Sequence, residues 1–339
     1  MSMKIKLLIV PFTFLALVPF QNKPASHSRI PLPQEDRIRV GEAYRLGATV
    51  DDKIWTKWTK APFAIMLVTN DYEYLIGHPH ATNNFDTLGY DPELNNLVLV
   101  RKRLFPTNLL ATFPAINGLS TIVVGQLANT SVSSSTAWVV TVLHEHFHQY
   151  QHSQPDYNAS VNSLGLAKGD NTGMWMLNYA FPYDSVRIDS AYATVSRSLL
   201  KALQSEPRDM SKHLNSFLGD LDRFSLFLSP DDFNYFSFQC WQEGVARYTE
   251  LRVAEFAEAN FVPSEAFRTL PDYRPYKDVA DSLRARILNG LSDPSLAGSR
   301  RVAFYAFGAG EALLLDRVQP GWKSEYLRTK FHLEKYFTK

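Results

Sequence analysis

The residues best equipped for chemistry lie in Val142-Leu143-His144-Glu145-His146-Phe147-His148-Gln149-Tyr150. On an α-helix, His144 and His148 stand one turn apart on the same face. Two imidazoles so placed can share one Zn²⁺, and a carboxylate beside the first can hold an attacking water. The pattern predicts a hydrolytic zinc site with His144 and His148 as ligands and Glu145 as general base. Its approach is apolar and contains neither Gly nor Pro, so the spacing predicts a helix over residues 136–151. Residues 133–136, Ser-Ser-Ser-Thr, supply N-cap hydroxyls.

Catalytic zinc takes three protein ligands and keeps a position for water. Neighbouring histidines do not provide the third. His152 is two turns past His144, about 12 Å along a straight helix. His146 points to another side of that helix, where it supports the ligands from behind or simply packs. The chain has one cysteine, Cys240. No disulfide can form within it, and a metal must be held by histidine and carboxylate.

A second segment, Trp241-Gln242-Glu243-Gly244-Val245-Ala246-Arg247-Tyr248-Thr249-Glu250, has helical spacing of its apolar residues. His-Glu-x-x-His followed on a later helix by Glu-Gly-x-Ala resembles the gluzincin metallopeptidases, in particular their aminopeptidase-like branch. The resemblance implies Glu243 as third zinc ligand, a zincin-like fold, and a peptide or protein substrate. It also implies that Gly244 and Ala246 let this helix approach the metal-binding one. His148 and Glu243 are 95 positions apart, a longer separation than in the best-known members, but ligands need meet only in space. The resemblance covers the two motifs and, loosely, the C-terminal half.

Glu250 falls two turns after Glu243 and is a candidate to orient His144 or His148 through the outer ring nitrogen. Arg247 can pair with Glu243 or Glu250. Asp184 and Asp189 are further carboxylates near the central helices. An oxyanion-stabilising group is expected across the cleft. Tyr305, in Phe304-Tyr305-Ala306-Phe307-Gly308-Ala309-Gly310-Glu311, is the first candidate and Tyr248 the second. In zincins the strand above the active helix pairs with extended peptides. Residues 121–125 are the candidate for that strand.

The remaining sequence must position these groups. An α+β chain is expected, with a small, mostly antiparallel N-terminal sheet and a largely helical body. Residues 1–26 read as a signal peptide: Lys4 and Lys6 precede an uncharged apolar run over 7–20. A retained membrane anchor is the alternative. Export to a bacterial periplasm or cell exterior follows, with no stable membrane insertion after cleavage. Residues 27–45 read as a linker or extended arm. Residues 46–130 form a strand-rich subdomain, with strands at 63–68, 72–76, 96–100 and 121–125. Residues 131–339 form the helical catalytic subdomain, with helices near 185–203, 210–227, 230–259, 279–288 and 302–315. A formal net charge of +1 gives no field for nucleic acid. Two further readings remain: a noncatalytic zinc- or ligand-binding protein, and a metal-dependent amidase or esterase. Glu145 speaks against the first, because a carboxylate that is no ligand is costly to bury without a task.

Overall fold

A computed structural model describes residues 31–80 and 82–337. The signal-peptide segment of residues 1–26 lies outside the described residues. The chain opens with α1 (Gln34–Val50) and continues through β1 (Ile65–Val68), β2 (Tyr72–Ile76), β3 (Asp86–Asp91), β4 (Asn96–Lys102), β5 (Leu110–Ile116) and β6 (Leu119–Gly125). Helices follow: α2 (Ser135–His152), α3 (Tyr157–Ser163), α4 (Trp175–Asn178), α5 (Val186–Leu203) and α6 (Met210–Ser225). Then come α7 (Pro230–Gln239), a π-helical turn (Cys240–Gly244), α8 (Val245–Asn260), α9 (Glu265–Arg268), α10 (Tyr276–Ser292), α11 (Leu296–Ser299) and α12 (Ala303–Val318). No described helix is long and apolar enough to cross a membrane.

The expected arm over 27–45 is corrected: most of it is α1. Val40, Ala43, Leu46 and Val50 recur at helical spacing and are fully buried. Asp36, Arg39 and Glu42, whose charges make this stretch look solvated, are buried too, because each finds a partner. Arg39 reaches Asp36 at 3.0 Å and Ser135 at 2.8 Å, and Gln126 donates to Asp36 at 2.6 Å. This network fastens α1 to the first turn of α2. Two strands, β3 and β5, were not expected from the sequence. β5 contains Pro114, which an edge strand tolerates because no partner needs its missing N–H.

The strands form one mixed sheet in the order β3-β4-β2-β1-β6-β5. Only β1 and β6 pair in parallel; the other pairs are antiparallel. Side chains alternate between the two faces. Ile65, Leu67, Ile122 and Val124 join the main core with Trp138, Val142, Leu143 and Phe147 of α2. Met66, Val68 and Val123 face the other way, into a smaller cluster closed by Phe105 and Phe113. α2 is therefore clamped between the sheet on one side and the helical body on the other, and nearly all of it is buried. Ser134 caps it, accepting from the Ala137 N–H at 3.2 Å.

Thr121 and its neighbours belong to β6, which has β1 on one side and β5 on the other. Residues 121–125 therefore cannot add a substrate strand. The sheet edge beside α2 is β5.

Candidate metal centre

His144 and His148 project from the same face of α2. Glu243 arrives from the π-helical turn between α7 and α8. One ligand atom from each of the three lies within 4.8 Å of the others. Glu243 Oε2 is 3.4 Å from His148 Nε2 and 3.8 Å from His144 Nε2. Two atoms bound tetrahedrally at about 2.0–2.1 Å from zinc stand about 3.4 Å apart. The spacing fits a shared cation, and two histidines with one carboxylate make a donor set suited to zinc.

The outer nitrogen of each imidazole is held. His144 Nδ1 lies 3.3 Å from Glu250 Oε2, which also takes Arg247 Nη1 at 2.5 Å. His148 Nδ1 is 2.7 Å from Gln151 Oε1. The Gln151 amide nitrogen donates to Tyr326 Oη at 2.7 Å and to the Gln242 carbonyl at 3.1 Å. Gln242 Nε2 also lies 3.1 Å from His148 Nδ1, so two amide side chains hold this nitrogen and leave Nε2 turned toward Glu243. Burial by itself would depress the His144 pKa, but Glu243 and Glu250 outweigh it and hold the group at about 9. Burial likewise works against the Glu243 charge, yet the His148 and His144 rings keep its carboxyl well below the usual range. Together these groups attract positive charge to one point.

Glu145 is buried, and its Oε2 has no hydrogen-bond partner among the described residues. A buried carboxylate oxygen without a partner is expensive. It faces a cleft of about 2080 Å³ that His144, His148 and Glu243 also line. β5 forms part of the rim, and the Thr112 hydroxyl donates to the Glu145 carbonyl at 3.0 Å.

Tyr305 also lines the cleft. Arg301, one turn before it, donates to its hydroxyl at 2.5 Å and lies 4.0 Å from Glu243 Oε1. Burial and then the Glu243 charge push the Tyr305 phenol well above its ordinary pKa, so the hydroxyl keeps its proton. Sequence reasoning missed Arg301. Its only signal was its position four residues before a candidate tyrosine.

Other expected residues are placed elsewhere. Tyr248 is fully buried, donates to Asp316 Oδ2 at 2.7 Å and does not line the cleft. His146 stacks on Phe63, with ring centroids 3.9 Å apart, and its Nδ1 meets Gln149 Oε1 at 2.9 Å. It packs α2 against the sheet side and touches neither ligand ring. Gly244 does not mediate approach to α2: a Cβ there would stand 2.5 Å from Gly308 Cα, so the glycine admits α12 instead. Asp184 pairs with Arg300, and Asp189 accepts from the Leu296 N–H, both away from the cleft. Arg247 takes Glu250 as its partner rather than Glu243.

The π turn itself gave no sequence signal. Such turns insert a residue into a helix and often occur at functional positions. Here the turn carries the carboxylate. No known protein family, curated protein or solved structure matches the chain.

Proposed function

We propose that this protein is a zinc-dependent hydrolase that cleaves peptide bonds, built on a zincin-like arrangement of an active helix beneath an edge strand. His144, His148 and Glu243 would hold the ion. One observation carries the reading: three ligand atoms within 4.8 Å of one another share a cleft with Glu145, whose buried Oε2 has no hydrogen-bond partner among the described residues.

Bound zinc would supply a Lewis acid that polarises the scissile carbonyl and lowers the pKa of water. Glu145 takes the proton of the attacking water and passes it to the leaving nitrogen. Glu250 and Gln151 hold the two imidazoles by their outer nitrogens, so the ligand atoms keep their direction. Tyr305 donates to the developing oxyanion, and Arg301 fixes its hydroxyl and adds positive charge. β5 offers its free edge to an extended polypeptide, which favours a peptide over an isolated ester or amide.

The test is metal content and cleavage of a broad peptide library, for the native protein and for Glu145→Gln. One zinc per chain in both, with chelator-sensitive cleavage in the native form alone, is the expected result. Failure to take up zinc after loading would sink the reading.

A further inference from the structure

We infer that the cleft selects substrates carrying a carboxylate on the C-terminal side of the scissile bond. The inference rests on the hydrolase reading above and adds a direction to it.

The direction comes from β5. This strand and α2 run side by side in the same sense. Gly125 at the end of β6 donates to the Leu109 carbonyl at 2.8 Å, so β5 begins near the chain that leads into α2. Thr112 reaches Glu145 midway. Ser120, just past the β5–β6 turn, meets His152 Nδ1 at 2.7 Å near the end of α2. The outer edge of β5 pairs with no strand among the described residues. An extended peptide adding there in the more stable antiparallel sense runs opposite to β5. Its N-terminal part lies toward Phe113 and His152. Its C-terminal part lies toward Leu110 and the start of α2.

The two ends differ in charge. At the start of α2, Arg274 is anchored through Thr136, whose hydroxyl donates to the Arg274 carbonyl at 2.5 Å and accepts its N–H at 3.2 Å. From α10, Val279, Ser282, Leu283 and Arg286 line the cleft at helical spacing. Arg274 and Arg286 are both exposed and border the cleft, and among the described residues neither has a carboxylate within 4.0 Å. Glu250 pairs with Arg247 and also feels the Arg286 charge from a longer distance, and Asp278 is the exposed acid of this end. Guanidinium groups suit a carboxylate because their paired N–H donors match its two oxygens. At the opposite end one cation and one acid line the cleft. Lys168 holds Asp231 at 2.9 Å, and Asp170 accepts from the Thr172 and Trp175 N–H groups at 2.7 Å each. Asp170 faces Lys168 as the acid lining the cleft at that end, so this end carries no net charge among the described residues. Terminal recognition therefore falls on the leaving side.

The probes are three N-acetylated peptides of one sequence, given to the zinc-loaded protein: one with a free C-terminal carboxylate, one amidated, and one amidated with Glu as the last residue. We expect kcat/KM for a carboxylate-bearing form about tenfold or more above the plain amide, as for one lost charge-assisted hydrogen bond. The difference should lie mainly in KM. Arg274→Ala combined with Arg286→Ala should cleave the acid form no faster than the native protein cleaves the amide. Preference for the free acid alone assigns the α-carboxylate, and equal preference for the Glu amide extends the assignment to side chains. Equal cleavage of all three by the native protein overturns this inference and leaves the hydrolase reading intact. Cleavage of none overturns both.

Discussion

Four histidines share one helix, and two pairs of them have opposite surroundings. His144 and His148 face Glu243, and Glu250 stands behind His144. His146 lies between Phe63 and Trp58, and His152 packs 4.7 Å from the Tyr157 ring. His144, His146 and His152 are nearly or partly withdrawn from water, and burial penalises the imidazolium of each. Only where carboxylates answer that penalty does the ring keep a proton: His144 stands at about 9, whereas burial takes His146 to about 4 and His152 to about 3. Spacing along α2 chooses the face. The role is then assigned by residues nearly a hundred positions away, delivered by the π turn and α8.

The comparison breaks most sharply at Glu145. Glu145→Gln keeps the shape and the three proposed ligands but removes the proposed base. Peptide cleavage should fall by roughly 10²–10⁴-fold, with zinc content unchanged by elemental analysis. Next come the histidines themselves. His148→Ala should abolish stoichiometric zinc uptake, because two remaining ligands do not close the site. His146→Ala should keep one zinc per chain and instead cost about 2–4 kcal/mol of stability, read by denaturant unfolding, because it opens a void against Phe63. Zinc loss in both variants would erase the distinction between the pairs. Glu250→Gln probes the support behind His144. It should weaken zinc affinity by roughly 10–100-fold in a chelator competition and leave the stoichiometry at saturating metal unchanged.

Much of this arrangement was legible in the sequence, for physical reasons. The active helix was expected over 136–151 and spans Ser135–His152, because a breaker-free apolar window with an N-cap hydroxyl admits little else. Strand β2 matched at both ends, since Thr-Asn-Asp marks the turn before it. Glu243 came from a resemblance, and it lies beside both histidines. What stayed hidden depends on pairing. α1 reads as solvated because Asp36, Arg39 and Glu42 are charged, and their burial depends on partners supplied by later segments. β5 reads as a loop because Pro114 interrupts it, and edge position is a property of the assembled sheet. Arg301 is one arginine among many until the short turn before α12 brings it near Glu243. Tyr248 shares its face with the right neighbours in sequence, yet Asp316 draws its hydroxyl the other way.

The same contrast, burial answered by a partner against burial left unanswered, has a smaller test far from the cleft. Glu311 sits inside α12 and is almost fully buried. Burial first, and then the nearby Glu334 charge, push its carboxyl pKa well above the ordinary 4.5. Near pH 4 both the folded and the unfolded chain hold this proton, and the residue is neutral in each. As pH rises through the ordinary carboxylate range, the unfolded chain releases the proton while the folded chain retains it. The folded state then binds more protons than the unfolded state, so its stability falls as pH rises, until the folded-state pKa is passed. Glu311→Gln has nearly the same shape and nothing to ionise. Its Tm should exceed the native value by a few degrees at pH 8, where one buried group of this kind is felt on that scale, and the gap should close toward pH 4. A gap that stays constant with pH would show that Glu311 does not titrate differently in the two states, and that burial alone does not govern the core's ionisable groups as it does His146.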